Sequence, residues 1–302
     1  MIPSYAYQGP VLDLSALRYD PCHDWIFPSI IRAADHIASP LGRYYLYYAP
    51  HDAPGGLCLA YADAVGGPWT EYAENPIVAR TWLPHHDVSH ISSPHVLWMP
   101  DEQKYFLYYH GENDTTRLAT SQDGIHFTYE GEVVTTAMYD GITESSYARV
   151  FPCRHATRGA CYVMLFMGNN AGTRRIYAAW SQDGRTFESQ RTPLINPPPG
   201  TNVTQVGAPW YFAKDGRHFV IFHGDQTDAR LNNVITDMYL AEVGADFTEE
   251  KHLGFYYRRE EVSPENMRAS DPCLFQDGED EWLFMSVGAR LDQHIAAARR
   301  RI

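Results

Sequence analysis

The chain has 302 residues, is 44% hydrophobic and 14% aromatic, and carries a formal charge of -13 at neutral pH. So large a negative excess disfavours nucleic acid and anionic membranes as partners, because both repel it. No apolar run approaches the ~20 residues of a membrane-spanning helix, and the length suits a single all-β domain.

The N-terminal stretch MIPSYAYQGPVLDL has no basic segment followed by an apolar core. No signal peptide is read from it, so a cytoplasmic location is expected, or a secreted one if a leader has been removed. Residues 1–20 form an arm ahead of the first repeat, and VLDLSAL within it is apolar enough for a strand. The five cysteines, Cys22, Cys58, Cys153, Cys161 and Cys273, contain no CxxC spacing. Free thiols are expected, although Cys153 and Cys161 could face each other across a hairpin.

From Trp25 onward one pattern returns five times: WIFPSIIRA, HISSPHVLW, ESSYARVFP, QVGAPWYFA and RASDPCLFQ. Aligning Pro28, Pro94, Ala148, Pro209 and Pro272 gives spacings of 66, 54, 61 and 63 residues, the size of a four-stranded blade. The second strands also correspond: RYYLYYAPH, KYFLYYHGE, CYVMLFMGN, HFVIFHGDQ and EWLFMSVGA. The turns SQDGIHF and SQDGRTF repeat near the ends of the second and third units. A sheet of this size cannot bury both faces alone, so radial stacking is the economical solution. The sequence therefore predicts one five-bladed β-propeller over residues 1–302. Inner strands are expected to start near residues 26, 91, 147, 206 and 270. The last unit contains only three strands, so the segment near residues 10 to 17 is expected to supply its fourth and close the ring.

Inner strands line the channel of a propeller, so polar residues at their starts are candidates for a site. Four positions before the aligned column stand Asp24, His90, Glu144, Gln205 and Arg268. Two carboxylates, an imidazole, an amide and a guanidinium in one ring suggest chemistry, since channel-lining packing would favour small or apolar side chains. A second set follows the second strands: His51 and Asp52, His110 and Glu112, Asn169 and Asn170, His223 and Asp225, then Arg290. These would crown the same opening. The contiguous His85, His86 and Asp87 match no standard metal spacing, and a solvated loop is the simpler reading.

The repeated Pro-bearing first strands, the aromatic second strands and the S-x-D-G-x-x-F turns resemble the five-bladed propeller glycosidases, in particular glycoside hydrolase family 43 and its relatives on arabinofuranosides, xylosides and fructosides. That resemblance implies a general base Asp at the start of blade one, an orienting Asp in blade two and a general acid Glu at the start of blade three. Asp24 and Glu144 match the first and third by blade and strand position. Phe27 and Pro28 stand where an Asp-Pro pair is usual, and Asp87 or His90 are the candidates in blade two. The implied reaction is inverting hydrolysis of an oligosaccharide or glycoside, with Asp24 activating water and Glu144 protonating the departing oxygen. Arg268 and His90 would hold hydroxyls or tune the carboxylates, Asp271 is a further carboxylate at the opening, and Trp25, Phe27, Trp82 and Tyr147 are candidates for an apolar ring face. No cofactor is expected, with a structural calcium in the channel left open. A retaining fructosidase-like enzyme, a glycoside phosphorylase and a non-catalytic sugar-binding propeller are the alternatives. The sugar, the linkage and the oligomeric state are not readable.

Overall fold

The computed structural model describes residues 2–228 and 233–302. Each repeat folds into a twisted antiparallel sheet. Blade one comprises Trp25–Arg32, Tyr44–Pro50, Cys58–Ala62 and Thr70–Glu71; blade two Ile91–Met99, Lys104–Gly111, Thr115–Ser121 and Thr128–Thr135. Blade three comprises Ser146–His155, Gly159–Asn170, Thr173–Ser181 and Glu188–Ser189; blade four Val203–Lys214, Arg217–Asp228, Asn233–Val243 and Glu250–Tyr257. Blade five consists of Arg268–Asp277, Asp280–Ala289 and Asp292–Arg301. Its outermost strand is Ala6–Pro10, with Ala6 opposite Arg299 and Pro10 opposite Ala296. The inner strands touch in the order one, two, three, four, five and back to one, which makes a closed five-bladed β-propeller.

The closing strand lies earlier in the chain than the segment read as a strand. VLDLSAL contributes only the Val11 N–H, which donates to the Ile295 carbonyl at 2.9 Å. Asp13 then accepts from the Ser15 N–H and caps a 3-10 turn over Leu14–Ala16, so local side-chain bonding ends the ladder there.

The aromatic second strands alternate with period two but have no polar face, because each blade is sandwiched between two others. Tyr44, Leu46 and Tyr48 pack toward blade five, while Tyr45, Tyr47 and Ala49 pack toward blade two. Tyr105, Leu107 and Tyr109 likewise face blade one, and Phe106 and Tyr108 face blade three. Five inter-blade cores result, plus a small cluster in the channel made of Ile26, Phe27, Tyr147, Met167 and Ala208.

The repeated SQDG turns account for two of the second-strand tyrosines, Tyr47 and Tyr108. In each turn the serine Oγ accepts from the glycine N–H, and the aspartate Oδ1 accepts from the backbone two and three residues on. The glycine carbonyl left pointing outward is taken by the preceding blade. Tyr47 donates to Gly124 at 2.7 Å, and Tyr108 donates to Gly184 at 2.6 Å. Both glycines have a positive φ, and a Cβ would stand 2.7 Å from the Tyr47 hydroxyl at Gly124 and 2.8 Å from the Tyr108 hydroxyl at Gly184. Gly124→Ala and Gly184→Ala should therefore each destabilise the protein by about 1–3 kcal/mol, from backbone strain and displacement of the tyrosine. Urea unfolding midpoints of the two variants check this.

Candidate functional site

One irregularity recurs in every inner strand. Ladder pairs Ile26–Ala49 and Ser29–Tyr47 enclose two residues on the inner strand against one on its partner, and the same skip occurs at Ser92/His95, Ser146/Arg149, Gly207/Trp210 and Ser270/Cys273. These are β-bulges, which turn a strand and redirect its side chains. The first bulged residue is left-handed in all five blades: Phe27 at φ 62°, Ser93 at 58°, Tyr147 at 55°, Ala208 at 45° and Asp271 at 53°. The second is the aligned column of Pro28, Pro94, Ala148, Pro209 and Pro272. Proline fits there because a bulge interrupts the ladder, where a missing N–H costs little.

Below the bulges lie Ser29, His95, Arg149, Trp210 and Cys273. Arg149 is fully buried and rests on the Trp210 ring. It donates to the Pro94 carbonyl at 2.7 Å and the Pro28 carbonyl at 3.2 Å, tying together the bulges of blades one to three. His95 Nε2 lies 2.7 Å from the Val150 carbonyl, and burial pushes its pKa down to about 3.

The polar column four positions earlier is in large part a set of latches between blades. Asp24 of blade one accepts from the Gln293 N–H of blade five at 2.9 Å. Gln205 of blade four accepts from the Arg174 N–H and donates to the Gly172 carbonyl, both of blade three. Arg268 of blade five reaches Asp225 of blade four at 3.4 Å. A structural role thus suits polar residues here, because strand starts present backbone groups that need partners. Asp24 is only 1% exposed, and its Oδ2 has no partner among the described residues. Burial raises its pKa, reinforced by Asp271 and Asp52 and opposed by the Gln293 N–H and His51. Glu144 is 5% exposed, and Arg174 grips both its oxygens, Nε to Oε2 at 2.9 Å and Nη2 to Oε1 at 3.3 Å. Ser146 Oγ donates to Oε1 at 2.9 Å. Neither carboxylate lines open solvent, contrary to what their place in the column suggests.

A cavity of about 110 Å³ opens off the axis above blades one to three. Its wall is formed by Phe27, His51, Asp52 and Ala53 from blade one, His90, Ser92, His110 and Asn113 from blade two, and Tyr147 and Arg174 from blade three. Asp52 is the carboxylate on this wall, with a side chain 53% exposed, and its Oδ1 is 2.8 Å from His51 Nδ1. His51 Nε2 is in turn 3.3 Å from the Tyr147 hydroxyl. His90 Nε2 stands 3.3 Å from Asn113 Oδ1. Burial lowers the pKa of His90 and, more strongly, of His110, and their neighbouring histidines add to the effect. Both imidazoles are thereby neutral donor-acceptor groups suited to hydroxyls. Burial raises the pKa of the Tyr147 hydroxyl.

Several residues expected at the opening lie elsewhere. Trp25 is buried in the core between blades one and five, because the first position of the strand precedes the bulge and keeps the ordinary inward direction. Asp87 is exposed on the small hairpin of Thr81–Trp82 and His86–Asp87, where it accepts from Thr81 Oγ1 at 2.7 Å. Trp82 packs beside Tyr129 on that hairpin. Glu112 and Arg290 are exposed turn residues, and Asn169 is the last residue but one of its strand, its carbonyl accepting from the Thr143 N–H. His223 and Asp271 form a separate buried contact at 3.4 Å near the Tyr147 ring. Burial would push the Asp271 carboxyl up, but His223 and the hydroxyls of Ser286 and Ser270 outweigh it and hold its pKa down. Asp225 also accepts from Thr236 Oγ1 at 2.6 Å. Arg174, Asn113, Ala53 and Ser92 are wall residues that the sequence columns do not single out. The pattern TRRIY at the start of blade three's third strand is the nearest signal for Arg174, and the turn GEND after blade two's second strand is that for Asn113. Among the described residues, no three His, Cys, Asp or Glu side chains are grouped to hold a metal ion.

No protein-family profile matches the sequence, and no curated protein matches it significantly. Solved structures do resemble it throughout. An alpha-L-arabinofuranosidase from Lactobacillus brevis is 14% identical with a TM-score of 0.65, over 91% of this chain and 90% of that one. An alpha-L-arabinofuranosidase from Podospora anserina, in complex with cellotriose, is 10% identical with a TM-score of 0.65, over 98% and 96%. A structure described with the GH130 family of mannoside phosphorylases, which contains hydrolases of β-1,2 mannosidic linkages, is 12% identical with a TM-score of 0.70, over 100% and 94%. The chain thus shares its propeller architecture with glycoside hydrolases, and the resemblance expected from its repeated strands is borne out at the level of the fold.

Proposed function

We propose that the protein is a glycoside hydrolase that cleaves small oligosaccharides or glycosides, of arabinofuranoside or xyloside type, in the cavity above blades one to three. The observation that carries this reading is the composition of that wall. Phe27 and Tyr147 offer ring faces, His90, His110 and Asn113 offer hydroxyl recognition, and two carboxylates are at hand, Asp52 of blade one on the wall and Glu144 of blade three bound to the wall residue Arg174. Hydrolysis by inversion needs a base for water and an acid for the departing oxygen. Asp52 and the His51 imidazole bonded to it supply the base side in place of Asp24, whose carboxylate is buried beneath the Gln293 backbone. Glu144 supplies the acid once a bound sugar draws Arg174 off its oxygens and the carboxylate takes up a proton from solvent.

Arg174 among three histidines also favours a second reading, phosphorolysis, since a guanidinium with imidazole donors suits an oxyanion. Turnover that requires added inorganic phosphate and yields a sugar phosphate would select it; turnover in phosphate-free buffer selects hydrolysis.

A panel of nitrophenyl furanosides and pyranosides tests the reading. Asp52→Asn and Glu144→Gln should each lower kcat by about 10²–10⁴-fold, and Glu144→Gln should recover most on substrates whose leaving group needs no proton. A wild-type protein that turns over no member of the panel counts against it. Asp24→Asn should keep activity, and its stability has a sign. The folded pKa of Asp24 is raised, so the stability this group contributes is complete below the unfolded value of about 3.9 and is lost as pH rises through the folded value. The amide keeps the acceptor for Gln293 and removes the buried charge. Its urea midpoint should match wild type near pH 3.5 and equal or exceed it at pH 7.

A further inference from the structure

We infer that Asp52, His51 and Tyr147 form a proton relay whose outer end, the Tyr147 hydroxyl, touches the substrate; the inference rests on the hydrolytic reading above. The three side chains are in series. Asp52 Oδ1 is 2.8 Å from His51 Nδ1, and the opposite nitrogen, Nε2, is 3.3 Å from the Tyr147 hydroxyl. In neutral His51 the carboxylate accepts from Nδ1–H, which leaves the Nε2 lone pair facing the phenol. This is the arrangement of orienting acid, base and hydroxyl that activates nucleophilic groups, here assembled from blade one and blade three.

The geometry is held from several sides. The His51 ring stacks on Phe27, with centroids 6.3 Å apart and planes at 22°. The Tyr147 ring lies 4.6 Å from Phe27, 5.5 Å from His110 and 6.3 Å from His223. Tyr147 is also one of the five left-handed bulge residues, so its backbone is fixed at a conformation that bulky side chains adopt only when surroundings impose it. All three members line the same cavity.

In the hydrolytic step, the oxygen of water bonds to the anomeric carbon as the glycosidic C–O bond breaks. One water proton passes to the Tyr147 oxygen while the phenolic proton passes to His51 Nε2. The imidazolium so formed is stabilised by Asp52, and the departing oxygen takes the proton of Glu144. After product release the His51 proton returns through solvent to Glu144, and the site is restored. Tyr147 is a catalytic residue in this scheme, and Asp52 is a positioning residue that acts through His51.

Two measurements test the relay. In protein labelled with ¹⁵N at its 14 histidines, His51 should give a downfield Nδ1 proton, identified by its loss in His51→Gln. That proton should disappear in Asp52→Asn and persist in Tyr147→Phe with a shifted Nε2. On whichever nitrophenyl glycoside the wild type cleaves, Tyr147→Phe and His51→Gln should each lower kcat by about 10²–10³-fold with little change in KM. The double variant should be no slower than the worse single one, as expected for groups acting as a unit. A downfield proton that is absent from wild type, or survives Asp52→Asn, overturns the relay, as do additive losses or effects on KM alone. The magnetic resonance pattern without turnover of any glycoside would instead overturn the hydrolytic reading while supporting the relay.

Discussion

The bulge in each inner strand is the constraint on which the rest of this molecule depends. Five strands meeting around one axis must bend away from it, and each does so by admitting one extra residue in the left-handed conformation. The cost of that conformation, of order 1–3 kcal/mol per residue, is met by packing around it. Phe27, Tyr147 and Ala208 close the channel with Met167, and Arg149 beneath binds the carbonyls that the bulges expose in blades one and two. A buried guanidinium without a carboxylate partner among the described residues would be costly elsewhere. Here the carbonyl oxygens satisfy it and the Trp210 face supports it.

Aromatic side chains plug the centre, and the cavity above blades one to three is walled by loops after the second strands that carry His51, Asp52 and Asn113. Blades four and five use the corresponding positions internally, as the pairs of His223 with Asp271 and Arg268 with Asp225. The ring of polar side chains is thereby divided between holding adjacent blades together and lining the cavity.

Rigidity at the site comes from the periphery as well. The SQDG turns clasp the tyrosines of the preceding blade, and the N-terminal strand covers the last edge of the sheet in blade five. These contacts are local to pairs of blades, so each blade is positioned by its two neighbours, and His51 and Tyr147 are brought into register through blade two.

Much of this architecture is legible in the amino-acid order alone. The period-two aromatic strands, the prolines at regular intervals and the twin SQDG turns are consequences of local geometry, and they report blade number and strand order directly. The closing strand was harder to place, because apolarity in VLDLSAL cannot reveal that Asp13 caps a turn and ends the ladder. The site was less legible still. Asp24, His90, Glu144, Gln205 and Arg268 share one column, yet whether such a residue latches a neighbouring blade or faces a ligand depends on what the next blade offers it. Trp25 goes to the core while Phe27, two residues on and past the start of the bulge, turns into the channel. Arg174 and Asn113 join the wall from other strands and turns, and Tyr147 meets His51 across 96 residues. Sequence patterns report what each strand does along its own length; which side chains share a cavity is decided by the twist between blades, and that exists only in the closed ring.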